Sequence, residues 1–253
     1  MNDFIEQNKD LANRLADEAG KIVKQYFRQP FDIEIKGDDS PVTIADRAVE
    51  KALRNMIERE RPEDGIYGEE FGVKESQNAY TWVLDPIDGT KSFMIGRPTF
   101  GTLIALCKDG KPILGVIDQA ISNERWIGDG QQTTFNREIV TCVDCPSLDK
   151  ARIGSTTPAM FADNPVYQNF DENKFFWGGD CYQYGLMANG FVDVIIEANM
   201  QPYDYLALVP VIEGAGGCMS DFTGQALSLE SGTSTVVACG DPARFEDVKP
   251  KLK

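Results

Sequence analysis

The feature that most constrains the fold is a short apolar segment, residues 82–84, that is followed at once by acids. Its three residues predict a buried β-strand, and Pro86 predicts that the strand ends there. Asp85 and Asp88 then lie at the end of a buried strand, where a charge is costly unless something compensates it. The turn after the strand can direct both carboxylates at one point.

The elements predicted around this strand alternate between helices and strands. Apolar residues at helical spacing predict a helix over 3–28 and a second helix of about 18 residues, which Thr43 caps and Arg61 ends. The other predicted elements are strands at 65–67, 101–107, 113–117, 192–197 and 235–239, and helices at 182–191, after Asp204 with a kink at Pro210, and from Pro242 with Asp241 as its cap. This order indicates a layered α/β arrangement. We expect one catalytic domain, 1–253, of two packed halves with a seam near 128–150.

The absence of histidine among the 253 residues narrows the chemistry. It excludes phosphohistidine phosphatases, Ser-His-Asp hydrolases and zinc enzymes with histidine ligands. A metal site has to use carboxylates, carbonyls and water, which suits Mg²⁺ or Mn²⁺. The net charge of −15 argues against binding to nucleic acid or to anionic membranes, because the field of the protein repels phosphate polymers.

The N-terminal residues lack the basic start and apolar stretch of a secretory signal, and no apolar run is long enough to span a bilayer. We therefore expect a cytoplasmic protein without membrane contact, whose six cysteines are reduced thiols. Cys142 and Cys145 have the spacing of half a zinc site or of a redox pair. No second pair or histidine completes such a site in the sequence, so a structural role is favoured.

Backbone amides and further acids can complete a site around the two aspartates. Gly89 allows close backbone approach and Thr90 can begin a helix, so that their amides can face a phosphate. Acids elsewhere in the chain that can join them are Asp46, Glu69, Glu70 and Asp204. Each acid alone also has an ordinary explanation, as a solvated surface charge or as the cap of a helix or turn. Cations held by carboxylates beside such amides would form a phosphoester site.

Three motifs, in order along the chain, resemble those of inositol-monophosphatase-like phosphatases. Residues 85–90 resemble the family signature, Glu69 and Asp204 stand where the family has its other acidic motifs, and 211–217 resemble its C-terminal signature. The resemblance extends from residue 36 to residue 240. It implies a five-layer αβαβα sandwich of the inositol monophosphatase and fructose-1,6-bisphosphatase type, a small-molecule phosphate ester as substrate, and a homodimer.

The resemblance also implies which residues bind Mg²⁺. One ion would be held by Glu69, Asp85 and the Ile87 carbonyl, and a second ion by Asp85, Asp88 and Asp204. It implies two or three ions in all, with Mn²⁺ able to replace Mg²⁺. Two such ions lower the pKa of a bound water and neutralise the leaving alkoxide, so no covalent phosphoenzyme is needed.

Catalytic and phosphate-binding roles are implied in the same way. Thr90 paired with Asp46, helped by Glu69 or Glu70 through water, would orient and deprotonate the attacking water. The amides of Gly89 and Thr90 would hold phosphate oxygens.

Several segments resemble the histidinol-phosphate phosphatase branch of this family more than inositol monophosphatases. They are 178–182, 115–119 and 124–128. Histidinol phosphate carries an ammonium group and a titratable imidazole, with which Asp180 and Glu197 could pair. Asp180 could instead cap the helix that follows it, and an acid at Glu197 also suits the hydroxyls of inositol 1-phosphate. A place in histidine biosynthesis is the favoured hypothesis, and an inositol monophosphatase or a broad-specificity phosphatase is its alternative.

Two other classes compete with this interpretation. A haloacid-dehalogenase-like phosphatase would form a phospho-aspartate, but its two aspartates are two residues apart, whereas Asp85 and Asp88 are three apart with Pro86 between them. A non-catalytic regulatory protein of the same fold is the second alternative. Every expected ligand position still carries an acid, which argues against it.

Overall fold

The structure is a computed structural model that describes residues 2–29, 33–35 and 41–253. Its α-helices are α1 (Asn2–Tyr26), α2 (Ile44–Glu60), α3 (Thr90–Met94), α4 (Tyr182–Ala188), α5 (Pro202–Tyr205), α6 (Leu208–Gly214) and α7 (Phe245–Val248). Its strands are β1 (Ile33–Ile35), β2 (Pro41–Thr43), β3 (Gly65–Gly68), β4 (Gly72–Lys74), β5 (Tyr80–Asp88), β6 (Gly101–Lys108), β7 (Lys111–Gln119), β8 (Glu124–Gly128), β9 (Thr133–Phe135), β10 (Glu138–Val140), β11 (Ile153–Ser155), β12 (Phe175–Trp177), β13 (Val194–Glu197), β14 (Cys218–Ser220) and β15 (Val236–Cys239). The side chain of Thr43, the predicted cap of α2, lies outside the described part of the chain.

Two sheets carry the fold. The larger sheet has the strand order β10-β9-β8-β7-β6-β5-β3-β4, and within it only β3 and β5 are parallel neighbours. The smaller sheet has the order β12-β11-β13-β15-β14, in which β11 is parallel to both of its neighbours. Strands β1 and β2 form a separate antiparallel pair.

Alternation of side chains along the central strands produces the layers. In β5, Trp82 and Leu84 pack against α1 and α2, whereas Val83 packs on the opposite face with α4, α6 and the smaller sheet. In β13, Ile195 faces those same helices, and Val194 faces an outer cluster that includes α7. Helices therefore cover both outer faces and separate the two sheets. This confirms the predicted five-layer αβαβα sandwich.

Strand β5 continues past the point where the sequence predicts that it ends. It extends to Asp88, and its register with β6 shifts between Asp85 and Asp88. The prediction that Pro86 ends the strand is wrong, because the missing N–H of proline is tolerated where the ladder is irregular. The Pro86 carbonyl instead accepts a hydrogen bond from the Thr102 hydroxyl at 2.7 Å. The irregularity redirects the chain at the two aspartates.

The helix predicted after Asp204 with a kink at Pro210 is also wrong. There are two short helices, α5 and α6, and Asp204 lies inside the first of them. Pro210 lies in the first turn of α6, where its missing N–H removes no helical hydrogen bond. The break therefore precedes the proline.

The cysteines are free thiols, as expected. Cys218 and Cys239 lie opposite each other on β14 and β15. The Cys142 backbone N–H donates to the carbonyl of Ala215.

Along the chain, β10 is the last strand of the larger sheet and β11 is the first strand of the smaller sheet. The division of the chain near 128–150 stays a prediction. No helix in the described residues is long and apolar enough to cross a membrane.

Candidate active site

Three aspartates from distant parts of the chain form an acidic cluster. Oxygens of Asp85, Asp88 and Asp204 all lie within 4.8 Å of one another. Burial, followed by the charge of Glu69, raises the pKa of Asp85 well above its ordinary value. Burial also raises the pKa of Asp88, with the charge of Asp180 as the next cause. So many carboxylates in one buried place repel each other strongly unless protons or cations are bound.

Asp204 is fixed by the short helix α5. The Gln201 backbone N–H donates to its Oδ2 at 2.6 Å, so Asp204 occupies the third helical position rather than the N-cap. Burial raises the pKa of Asp204 to about 6, and the hydrogen bond from Gln201 opposes this shift. The ordinary explanation of Asp204 as an N-cap is therefore wrong.

Asp88 is held from the opposite side of the site. The backbone N–H of Cys181, just before α4, donates to its Oδ2 at 2.6 Å. The N-cap of α3 is Gly89, and no side chain caps that helix, so Asp88 does not serve as its cap. Gly89 has φ = 82° and ψ = 39°, a left-handed conformation that glycine adopts without a steric cost.

The donor set of the cluster fits a hard divalent cation. Asp85 Oδ1 is buried and accepts no hydrogen bond from any residue in the described part of the chain. The neighbouring charges that act most strongly on Asp85 are all carboxylates, namely Asp46, Glu69, Asp88 and Asp204. Buried carboxylates of this kind are stabilised by metal coordination, and all-oxygen ligands suit Mg²⁺ or Mn²⁺.

The turn that carries Glu69 and Glu70 is held by Glu50 of α2. The buried Glu50 carboxylate accepts hydrogen bonds from the backbone N–H of Glu70 at 2.7 Å and of Phe71 at 3.2 Å. Arg54 donates to the same carboxylate at 2.7 Å and also to the carbonyl of Gly72. These contacts place the turn beside β5, and the charge of Glu69 acts on Asp85.

Thr90 begins α3, two residues after Asp88, the last residue of β5. Its hydroxyl donates to the Ile87 carbonyl at 3.1 Å. That carbonyl is one of the predicted metal ligands, and a carbonyl oxygen has a second lone pair for a cation. The buried Asp46 is close enough for its charge to act on Asp85, while its predicted pairing with Thr90 stays a prediction.

A cavity of about 130 Å³ adjoins the acidic cluster. Asp88 and Asp204 line it, and so do the two acids predicted to bind substrate, Asp180 and Glu197. Met160, Met200 and Leu208 supply apolar parts of its wall. The cavity thus joins the acidic cluster to a second pair of acids.

Glu197 lies at the end of β13 and is almost fully buried, with 2% of its surface exposed, where it lines the cavity. Its Oε1 accepts from the Thr156 hydroxyl at 2.6 Å, the Thr156 N–H at 3.0 Å and the Gln183 side chain at 3.0 Å. Its Oε2 accepts from the Tyr184 hydroxyl at 2.9 Å. Burial raises the pKa of Glu197 to about 7, although these hydrogen bonds favour the ionised form.

Asp180 does not cap the following helix. The N-cap of α4 is Cys181, and no side chain caps that helix. Asp180 Oδ2 instead accepts from the Ser92 hydroxyl at 2.5 Å, and Thr99 Oγ1 lies 3.1 Å from the same oxygen. A Cβ atom added to Gly89 would lie 2.8 Å from the Cβ and Cγ atoms of Asp180, so the Gly89 backbone packs directly against the Asp180 side chain.

Comparison with known proteins assigns the family. A sequence model described as the inositol monophosphatase family matches residues 5–249. The chain belongs to this family. It is 50% identical over 244 residues to the bifunctional phosphatase IMPL2, chloroplastic, of Arabidopsis thaliana, covering 91% of this chain and 70% of that protein. It is 36% identical over 222 residues to a histidinol-phosphatase of Chlorobaculum parvum, covering 85% and 86%.

A solved inositol monophosphatase from Zymomonas mobilis superposes with a TM-score of 0.88, at 44% identity over 98% of each chain. The chain is thus a phosphoric monoester hydrolase of this family, whose members generally depend on Mg²⁺. This result favours a hydrolase of the inositol monophosphatase family over a non-catalytic protein and over a haloacid-dehalogenase-like phosphatase.

Several contacts in the site escaped the sequence analysis. The burial of Glu50 could have been predicted from the sequence, because it lies four residues after Asp46 on the helix face that buries Leu53 and Ile57. The contacts of Ser92 and Thr99 with Asp180 could not have been predicted from the sequence, since isolated hydroxyl residues are common in turns.

Proposed function

We propose that this enzyme hydrolyses histidinol phosphate to histidinol and phosphate with Mg²⁺ as its cofactor. The observation that carries the proposal is the cavity in which Asp180 and Glu197 lie beyond Asp88 and Asp204. Ammonium and imidazolium groups can pair with both acids, whereas the hydroxyls of a neutral alcohol account for Glu197 but carry no positive charge for Asp180. Relatives named histidinol-phosphatase at 30–36% identity support the same choice.

Different residues would bind the metal ions, activate the water and bind the phosphate. Glu69, Asp85, Asp88, Asp204 and the Ile87 carbonyl would hold two or three Mg²⁺ ions, and Mn²⁺ could replace them. When bound, such ions lower the pKa of a coordinated water and stabilise the charge of the leaving oxygen.

Thr90 begins α3 and, with Asp46 and one of the turn glutamates Glu69 and Glu70, would orient the attacking water and accept its proton. The N–H groups of Gly89 and Thr90 lie at the start of α3, where backbone donors lack helical partners, so they are suited to phosphate oxygens.

Glu197 would bind a cationic group of the substrate through its ionised carboxylate. Because the pKa of Glu197 is about 7, a cation placed beside it would draw it into the ionised form. The Tyr184 and Thr156 hydroxyls already orient the carboxylate for that contact. A neutral alcohol would gain much less from the same group.

A second candidate substrate is inositol 1-phosphate, since an acid such as Glu197 also binds hydroxyls, and the Zymomonas mobilis structure is of an inositol monophosphatase. We define the preference ratio as kcat/KM for histidinol phosphate divided by kcat/KM for inositol 1-phosphate. With Mg²⁺ we expect a ratio of about one hundred or more, which corresponds to about 2.7 kcal/mol of transition-state discrimination. A ratio near or below one would reject histidinol phosphate as the preferred substrate.

We further propose that the protein is a cytoplasmic homodimer that takes part in histidine biosynthesis. The dimer and the pathway follow from the family resemblance. Sedimentation of the purified protein would test the dimer, and a histidine requirement on deletion of its gene would test the pathway.

A further inference from the structure

Asp180 is held in an unusual way for a residue at the edge of a cavity. Its φ of 44° lies in the left-handed region, which non-glycine residues seldom adopt. Two hydroxyls, from Ser92 in α3 and Thr99 before β6, lie against its Oδ2 at 2.5 and 3.1 Å. The two hydroxyl oxygens are themselves 3.1 Å apart.

The two contacts fix the rotation of the carboxylate. Both hydroxyls approach the same oxygen, Oδ2, and no donor from the described part of the chain lies against Oδ1. Asp180 is among the residues that line the cavity. One oxygen is therefore anchored in the protein, and the other is left with free lone pairs for a ligand.

Neither hydroxyl makes the contact that is usual for its position. Serine and threonine in turns and short helices commonly bond to the nearby backbone. Ser92 and Thr99 reach a carboxylate 88 and 81 residues away instead. Ser92 is buried, with 5% of its surface exposed, so the loss of its partner would leave a polar group without solvent.

We propose that Ser92 and Thr99 are positioning residues that determine specificity for a cationic phosphate ester. They hold Asp180 so that Oδ1 faces the cationic group of the substrate. The inference rests on the proposed function, since only a substrate with a cation makes use of this oriented charge.

The arrangement also connects the two ends of the substrate. Ser92 lies two residues after Thr90 in α3, so the helix that would bind the phosphate also orients the acid for the cation. The packing of Gly89 against the Asp180 side chain fixes the spacing between the start of α3 and Asp180. The distance between phosphate and cation is therefore set by one rigid contact, and a substrate of another length fits it poorly.

The test is the preference ratio of Thr99→Val, which keeps the shape of the side chain and removes its hydroxyl. We expect the ratio to fall about tenfold, the effect of one lost hydrogen bond to a charged group, through a higher KM for histidinol phosphate. Ser92→Ala should lower the ratio by at least as much. Thr99→Ser retains the hydroxyl and should restore most of the wild-type ratio.

The matched control is Ser122→Ala. It removes another serine hydroxyl that donates to a carboxylate at 2.5 Å, that of Glu124, outside the cavity lining. It should keep the wild-type ratio.

A wild-type ratio of about one hundred that Thr99→Val and Ser92→Ala both retain would overturn the positioning role alone. A wild-type ratio near one would instead overturn the proposed substrate, and with it this inference. Equal losses for both substrates, in kcat rather than in KM, would show a merely structural role and overturn the inference as well.

Discussion

Replacement of Glu197 by glutamine should stabilise the metal-free protein at high pH. The carboxyl group is fully buried, and its pKa is about 7 in the folded protein against an ordinary value of 4.5. For an acid whose folded pKa is raised, stability is greatest below the unfolded pKa and is lost as the pH rises through the folded pKa. The window of loss for Glu197 therefore lies between about pH 4.5 and pH 7.

The magnitude follows from the size of the shift. A change from 4.5 to about 7 corresponds to about 3 kcal/mol, most of which is lost between pH 5 and pH 8.5. Glutamine has the same shape and stays neutral, so its side chain can still accept from Thr156 and Gln183. The free energy of unfolding of Glu197→Gln relative to wild type should thus rise by about 2–3 kcal/mol between these two pH values.

Urea unfolding in EDTA, followed by tryptophan fluorescence near pH 5 and near pH 8.5, measures this difference. Asp171→Asn is the control, because the N–H of Asn173 lowers the pKa of the exposed Asp171 below its ordinary value of 3.8. Its titration ends below pH 5, so its free-energy difference from wild type should stay constant. A difference for Glu197→Gln that is constant or falls with rising pH would show that burial does not raise the pKa of Glu197.

Three more substitutions test the site, by kcat/KM and by unfolding in EDTA. Asp88→Asn should lower kcat by about a thousandfold or more with the fold intact, and retained activity would contradict its role as a metal ligand. Gly89→Ala should lower kcat/KM more than a hundredfold, because the new Cβ would lie 2.8 Å from Asp180. The control is Gly232→Ala, at a glycine with φ of 60° and open space around it, which should lower the free energy of unfolding by about 1 kcal/mol and leave activity unchanged. Glu50→Ala should lower the free energy of unfolding by about 3 kcal/mol, since it removes a buried carboxylate that accepts from two backbone N–H groups and an arginine. It should also reduce kcat, and an unchanged kcat would show that the turn of Glu69 and Glu70 has no role in catalysis.

The sequence was most informative where a local pattern has one physical solution. The apolar run 82–84 before Asp85 and Asp88 identified the central strand and the acidic cluster, because burial of two charges demands compensation. Helical periodicity likewise predicted α1 and α2 to within a few residues. Layer assignment beyond that came from family resemblance, since periodicity does not determine which sheets stack.

The errors arose where tertiary contacts override a local rule. Pro86 normally ends a strand, but β5 is irregular at that place and continues to Asp88. The site has the same property, because the contacts of Asp180 with Ser92 and Thr99 join segments more than 80 residues apart. No local pattern encodes such a contact, whereas Asp180 itself was found through its motif.

The proposed substrate preference is tested most directly by the preference ratio of the wild-type enzyme beside that of Asp180→Asn, measured with saturating Mg²⁺. Asparagine keeps the size of the side chain and removes the charge that faces the cavity. We predict a ratio of about one hundred or more for the wild type and a fall of at least tenfold for the variant, with most of the change in histidinol phosphate. A wild-type ratio near one, or a variant that retains the full preference, would contradict the claim that acids beyond the acidic cluster select a cationic phosphate ester.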